Sequence, residues 1–399
     1  MITLIHNGQV FTPNYLGEKD ILILGDKIGA ISSPGKINIT GLKIKTIDAS
    51  QKIITPGFID SHVHILGGGG EGGPATRAPE ITLEDIISSG VSTVIGCLGT
   101  DSTTRHPESL LAKAKALEEE GLTSYIFSGS YQIPVATITG NIISDLIFID
   151  KVIGAGEIAI SDHRSSQPTF EEIAKLAAAC RVGGLLGGKA GILHLHVGDG
   201  PRKLELLFRL LKETEIPANQ FIATHVNRNP QLLEEAILFI QQGGYIDLTA
   251  SLDPQPQNKK EQSIAAAIQL CLKKKAPLSH ITISSDSNGS LPVFDHQGNL
   301  TGLTVATQKS LLSNFKYLIR NQILSLEQTL TLFSTNPASF YKLKTKGEIK
   351  EGKDADLLIF DREFNITDFL VKGKAMIANG KLIARSTFSS RRQRVKSKE

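Results

Sequence analysis

A chain of 399 residues, 40% of them apolar, with a mean hydropathy of −0.02, reads as an ordinary soluble globular protein with a large core. Its formal charge of +3 comes from 43 basic and 40 acidic residues, but five of the basic ones and one acidic lie in the last nine residues; the remainder is close to neutral, which argues against nucleic-acid binding. Three widely spaced cysteines, Cys97, Cys180 and Cys271, make no disulfide framework, and no secretory leader pattern or eighteen-residue apolar run is present, so a cytoplasmic protein with no membrane partner is expected.

Residues 1–55 divide into short strand candidates, MITLIHNGQVF, KDILILGDKIGAISS and KIKTIDA, with Asn7-Gly8 read as a tight hairpin and Gly25-Asp26 as a second turn. Residues 56–346 alternate. Apolar strand candidates FIDSHVH, VSTVIGCLG, LTSYIFSG, VIGAGEIAI, ILHLHVG, FIATHV, YIDLTA and ITISSD are separated by helical patterns such as HPESLLAKAKALEEEG and TFEEIAKLAAACR. Eight such alternations predict an α/β fold, a (β/α)8 TIM-like barrel, and no Rossmann or P-loop glycine pattern competes. Short strands return over residues 347–385, so both chain ends are expected to meet in a small β-sandwich subdomain. Residues 386–399 form a basic tail that is read as disordered.

In such a barrel the chemistry sits where strands hand over to the following loops. His62 and His64 end the first strand, and period-two geometry turns both imidazoles to one face, where they supply half of a metal's ligands. Gly67 to Gly70 and Glu71 follow at once; glycine lets backbone approach a ligand closely. Thr100 and Asp101 follow the second strand, Tyr131 the third, and Asp162, His163 and Arg164 the fourth. His194 and His196 lie in the fifth, His225 and Arg228 at the sixth, and Asp286 ends the eighth; the seventh, YIDLTAS, offers no ligand. Packing does not explain so many polar groups on one rim, because each costs free energy to bury unless paired. Metal binding does.

The chain resembles the amidohydrolase superfamily and, within it, the bacterial isoaspartyl dipeptidases, also called β-aspartyl peptidases. The segments that carry the resemblance are PGFIDSHVHILGGGGEGGPATRAPE, LGTDSTTRHPESLLAKAKALEEEG, ISDHRS, GGLLGGK, THVNRNP, SSDSNGS and EGKDADLLIF, spread over essentially the whole chain. PGFIDSHVH is shared by the wider superfamily, whereas GGGGE, SDHRS and THVNRN are marks of the dipeptidases.

The resemblance implies two zinc ions per subunit, the more buried held by His62, His64 and Asp286 and the second by His196 and His225. His194 matches no family ligand and is given a supporting structural role. The best-known relatives bridge the metals with a carboxylated lysine before SDHR. Here no lysine lies between Lys151 and Lys175, and Glu157 takes that place in a segment that looks one residue longer. A glutamate already carries one negative charge over two oxygens, so it can face both cations. The implied reaction is hydrolysis of a β-aspartyl dipeptide by a hydroxide shared between the metals, with Asp286 as general base and then acid and Tyr131 polarising the carbonyl. Glu71, helped by the turn at Gly69 and Gly70, would receive the substrate ammonium, Arg164 and Arg228 its carboxylates, and Thr100 and Ser290 would add neutral hydrogen bonds. The family also implies a homo-oligomer. A cyclic-amide hydrolase of the dihydroorotase or dihydropyrimidinase type is the enzymatic alternative, and a non-catalytic amidohydrolase-like scaffold the other.

Overall fold

A computed structural model describes residues 1–250, 262–294 and 300–389. Most of the basic tail, from residue 390 on, lies outside the described residues. All eight strand candidates form strands: Phe58–Val63, Val91–Gly96, Thr123–Ser128, Val152–Ile160, Ile192–Val197, Phe221–Thr224, Tyr245–Thr249 and Ile281–Ser284. They pair in sequence order, each neighbour parallel. Their unbroken apolar runs follow from burial on both faces, one against the barrel interior and one against helices.

The barrel closes at its C-terminal rim. The Asp286 N–H donates to the His62 carbonyl at 3.1 Å, and the His64 N–H donates to the Ser287 carbonyl at 2.9 Å. This closure sets the carboxylate from the eighth strand beside the two histidines of the first. Asp286 has φ 53° and His225 φ 63°, both in the left-handed region that non-glycine residues rarely adopt; strain of this kind persists where the surrounding structure fixes it and concentrates at functional sites.

Helix Phe170–Leu186 shows how the outer layer is specified. Thr169 and Glu172 form a reciprocal capping box at its start, and Ile173, Leu176, Ala177, Cys180, Gly183 and Gly184 form the buried stripe at helical spacing.

The chain ends share a nine-stranded mixed sheet, the small sandwich-like subdomain, in which Ile53–Pro56 runs parallel to Ile2–Phe11 and antiparallel to Leu357–Phe360. Ile5, Val10, Ile21, Ile54, Leu357 and Ile359 are among its core residues. Between this sheet and the barrel, the Lys346 ammonium is 3% exposed and reaches Asp354 Oδ2 at 2.8 Å and Asp356 Oδ2 at 2.6 Å. Two carboxylates of the DAD motif thus compensate one buried cation.

The Asn7-Gly8 hairpin is not formed. Ile2–Phe11 is one strand with a bulge between Ile5 and Gly8 in its pairing with Tyr15–Leu24. The Asn7 N–H donates to Asp20 Oδ1 at 2.9 Å, and a Cβ on Gly8 would lie 2.2 Å from Ile54 Cδ1. Glycine here admits the neighbouring strand. The Gly25-Asp26 turn does join two strands, Tyr15–Leu24 and Lys27–Ser32. An antiparallel hairpin not expected from the sequence, Ser290–Phe294 with Leu300–Val305, rises from the rim after the eighth strand.

Candidate metal centre and substrate cavity

At the C-terminal mouth of the barrel, Glu157 is 1% exposed and is surrounded by four imidazoles. Its Oε2 lies 3.4 Å from His62 Nε2, 3.2 Å from His196 Nδ1 and 3.5 Å from His225 Nε2, and its Oε1 lies 3.5 Å from His64 Nε2. Asp286 Oδ1 lies 3.1 Å from His64 Nε2 and 3.6 Å from His62 Nε2. These separations suit ligands better than hydrogen bonds: nitrogen and oxygen atoms at about 2.0–2.1 Å around a tetrahedral ion sit about 3.3 Å from one another. His62 Nε2 and Asp286 Oδ1 are buried and have no hydrogen-bond partner among the described residues. Buried lone pairs left facing one another in this way are what a cation would satisfy, so the side chains fit a metal. Three ligand groups emerge, one with His62, His64, Cys97 and Glu157, one with His62, His225 and Asp286, and one with Glu157, His196 and His225. Glu157 belongs to two of them.

The electrostatics agree. Burial opposes charge on Glu157, but the charge of His62 and the close approach of the His196, His225 and His62 rings hold its carboxyl well below the usual range. Asp286 is also held low; burial works against its charge and is outweighed by the His64 ring beside it and the charges of His225, His62 and His64. Burial pushes His225 down to about 3, which keeps the ring neutral. For His62 and His64 burial opposes the cation, yet Cys97 and Glu157, joined by Asp286 for His64, raise both well above the ordinary value. The neighbouring anions that favour a cation on His62 and His64 would equally favour a metal cation between them.

The candidate ligands are held from behind. His196 Nε2 lies 2.9 Å from Asp162 Oδ2, His225 Nδ1 2.7 Å from Thr249 Oγ1, and His62 Nδ1 2.9 Å from His194 Nε2. Such partners orient a ligand ring and fix its tautomer. The sequence placed Asp162 on the rim without a role and found no contribution from the seventh strand, whose Thr249 is this partner of His225. The buried Cys97 has its sulfur 3.8 Å from His64 Nδ1.

The centre opens into a cavity of about 640 Å³, within the range of small-ligand sites. Tyr131, Glu71, Gly69, Thr100, Arg164, Arg228, Ser290 and Asp286 all line it, and Gly70 follows Gly69 in the same loop. The Thr100 hydroxyl donates to Glu71 Oε1 at 3.0 Å, and Arg164 Nη1 lies 3.5 Å from the same oxygen. Arg164 also donates to Asp162 through Nε at 3.0 Å and Nη2 at 2.8 Å. The Arg228 side chain has no hydrogen bond or ion pair among the described residues. Tyr131 Oη lies 2.8 Å from His196 Nδ1, the nitrogen that also faces Glu157. Burial, reinforced by the charge of Glu157, raises its phenol well above the usual value, so it is a donor.

A buried guanidinium supports the glycine-rich loop. Arg105, 5% exposed, donates to the carbonyls of Gly68 at 2.8 Å and Gly69 at 3.2 Å. Asp101, which the sequence set on the rim, pairs with Arg105 and Arg77 instead of facing substrate. Gly69 has φ 73°, and a Cβ there would lie 2.6 Å from the Thr76 carbonyl oxygen.

Residues 183–376 match the family model described as Amidohydrolase family. A β-aspartyl dipeptidase from Fervidobacterium islandicum AW-1, solved with β-Asp-Leu, is 44% identical, with a TM-score of 0.89, covering 96% of this chain and 97% of that one. A dihydroorotase from Lactobacillus gasseri is 25% identical over 94% of this chain and 93% of its own length. Dihydropyrimidinase from Brevibacillus agri superposes with a TM-score of 0.66 over 97% of both chains at 16% identity, which shows a common fold.

Proposed function

We infer, from a chain that belongs to the isoaspartyl dipeptidase family of the amidohydrolase superfamily, that it hydrolyses β-aspartyl dipeptides at a two-metal centre bridged by Glu157. In this reading His62, His64 and Asp286 hold the inner ion, His196 and His225 the outer, and zinc is the ion proposed, since imidazole and carboxylate donors suit it. When bound, such a pair lowers the pKa of water and polarises the scissile carbonyl.

The chain's own groups then move the protons. Water adds to the β-carbonyl carbon, and Asp286 accepts its proton. As the C–N bond breaks, Asp286 returns that proton to the departing amine. Tyr131 would donate its hydroxyl hydrogen to the oxygen that gains charge. At the far side, Glu71 pairs with the substrate ammonium while Arg164 and Arg228 take the two carboxylates, with Thr100, Ser290 and the Gly69–Gly70 backbone completing the cradle. Without substrate, Arg164 leans on Glu71; a zwitterion supplies each of them with its own partner.

The observation that carries this reading is one cavity holding Glu71 and two guanidiniums beside the histidine and carboxylate cluster. A cyclic-amide hydrolase of the kind named for the dihydroorotase relatives needs the cluster but not a cation reader and two carboxylate readers together. The expected result is that β-Asp-Leu is cleaved while α-Asp-Leu and dihydroorotate are not, because moving the scissile bond to the α-carbonyl displaces the ammonium and carboxylate from their partners. Equal rates on both dipeptides, or turnover of the cyclic amide alone, would reject the assignment.

A cytoplasmic setting and a homo-oligomer belong to the same proposal. Three buried free thiols support the first. Exposed Phe148, Val182, Leu185 and Leu186 on two packed helices support the second.

A further inference from the structure

His194 is fully buried, matches no family ligand, and takes no part in the mechanism above, yet it occupies the face of His62 opposite the metal-facing nitrogen. His62 Nδ1 lies 2.9 Å from His194 Nε2, and His194 Nδ1 lies 3.2 Å from the hydroxyl of Tyr341. Tyr341 is 1% exposed and follows the short helix Asn336–Phe340, in the cluster of Ile59, Ile95 and Phe127 on the other side of His194 from the metal ligands. The His194 ring is stacked on Phe127, with centroids 4.8 Å apart and planes at 18°. Its backbone packs against Gly156, where a Cβ would lie 2.8 Å from His194 Cβ. The ring can therefore neither turn nor reach water.

With His62 and His194 neutral, as a metal ligand and its partner must be, two proton arrangements satisfy this line of three rings. In one, the Tyr341 O–H donates to His194 Nδ1 and the His194 Nε2–H donates to His62 Nδ1, so neutral His62 carries its hydrogen on Nε2, towards Glu157 and Asp286. In the other, His62 Nδ1–H donates to His194 Nε2 and His194 Nδ1–H donates to the Tyr341 oxygen, which frees the Nε2 lone pair of His62. Only the second can bind a cation at His62 Nε2.

We propose that His194, anchored by Tyr341, is a positioning residue that sets the tautomer and ring angle of His62 for the inner metal. Behind His196 a carboxylate does this work and behind His225 a hydroxyl. A neutral imidazole behind His62 accepts the hydrogen without adding another negative charge to a cluster already containing Glu157 and Asp286. The proposal rests on the metal-centre reading above.

The test is zinc affinity, measured by titrating purified variants against a competing chelator. His194→Leu, which fills much of the space but accepts no hydrogen bond, is expected to weaken one of the two zinc sites, the inner one, by roughly 10–100-fold. His194→Gln retains an acceptor and a donor and is expected to recover most of that loss. Tyr341→Phe should weaken zinc in the same direction, and adding it to His194→Leu should cost little more, because Tyr341 acts through His194. If His194→Leu does not fold, Tyr341→Phe and His194→Gln decide the matter between them: wild-type affinity in Tyr341→Phe overturns the proposal. Wild-type affinity in His194→Leu, or equal losses in the folded Leu and Gln variants, would also overturn it. A wild-type chain that binds no zinc would instead defeat the metal-centre reading itself.

Discussion

Asp286→Asn is expected to lower kcat on β-Asp-Leu by roughly 10²–10⁴-fold, the range for a lost general acid-base group, while the fold survives. The substitution keeps shape and one oxygen facing His64 and His62. Its backbone bonds, the N–H to His62 and the carbonyl to the Gly289 N–H, are untouched. Asparagine also tolerates the left-handed backbone that Asp286 adopts at φ 53°. What disappears is the carboxylate that must accept a proton and give it back. Metal content has to be measured alongside, since Asp286 is also a proposed ligand. Near-normal turnover at full occupancy would remove Asp286 from the proton path.

Glu157→Ala is expected to have an effect at least as large, by another route. Both carboxylate oxygens face imidazoles, and the group is 1% exposed. Its loss would leave two cations close together with one anion fewer between them. The variant should lose at least one metal per chain and more activity than the roughly 10–100-fold that removal of a supporting hydrogen-bond partner costs. Removing an exposed carboxylate, as in Glu213→Ala, should change neither. Glu157→Lys supplies a longer arm that could carry a carbamate, but in a backbone arranged for glutamate, so at best partial recovery with bicarbonate is expected. Two metals per chain and unaltered turnover in Glu157→Ala would end the bridging role.

The parts of this architecture governed by short-range rules were legible in the sequence. Eight apolar runs read as barrel strands because burial on both faces demands them, and His62 and His64 share a face because strand geometry alternates. The seat of Glu157 beside both histidine pairs was implied by the resemblance, and the structure brings it to within 3.2–3.5 Å of all four rings. What stayed hidden depends on closure between distant segments. Thr249 behind His225, Tyr341 behind His194, and Arg105 beneath the glycine loop are separated from their partners by 24, 147 and 36–37 residues, and no local pattern marks such pairs. Asn7-Gly8 failed for the complementary reason: its local turn signature yields to tertiary packing, with Ile54 occupying the space a Gly8 side chain would need. The pairing of Ser290–Phe294 with Leu300–Val305 is hidden in a similar way, since LTGLTV has no strict alternation of apolar and polar residues to mark it.

The most direct trial of a Glu157-bridged β-aspartyl dipeptidase is reconstitution of the metal-free chain with zinc in bicarbonate-free buffer, following β-Asp-Leu hydrolysis against zinc added. A glutamate needs no carbon dioxide to become a bridging carboxylate, so activity should return fully and level off at two equivalents of zinc per chain. No hydrolysis of β-Asp-Leu at any loading, or a return of activity only when bicarbonate is supplied, would contradict it.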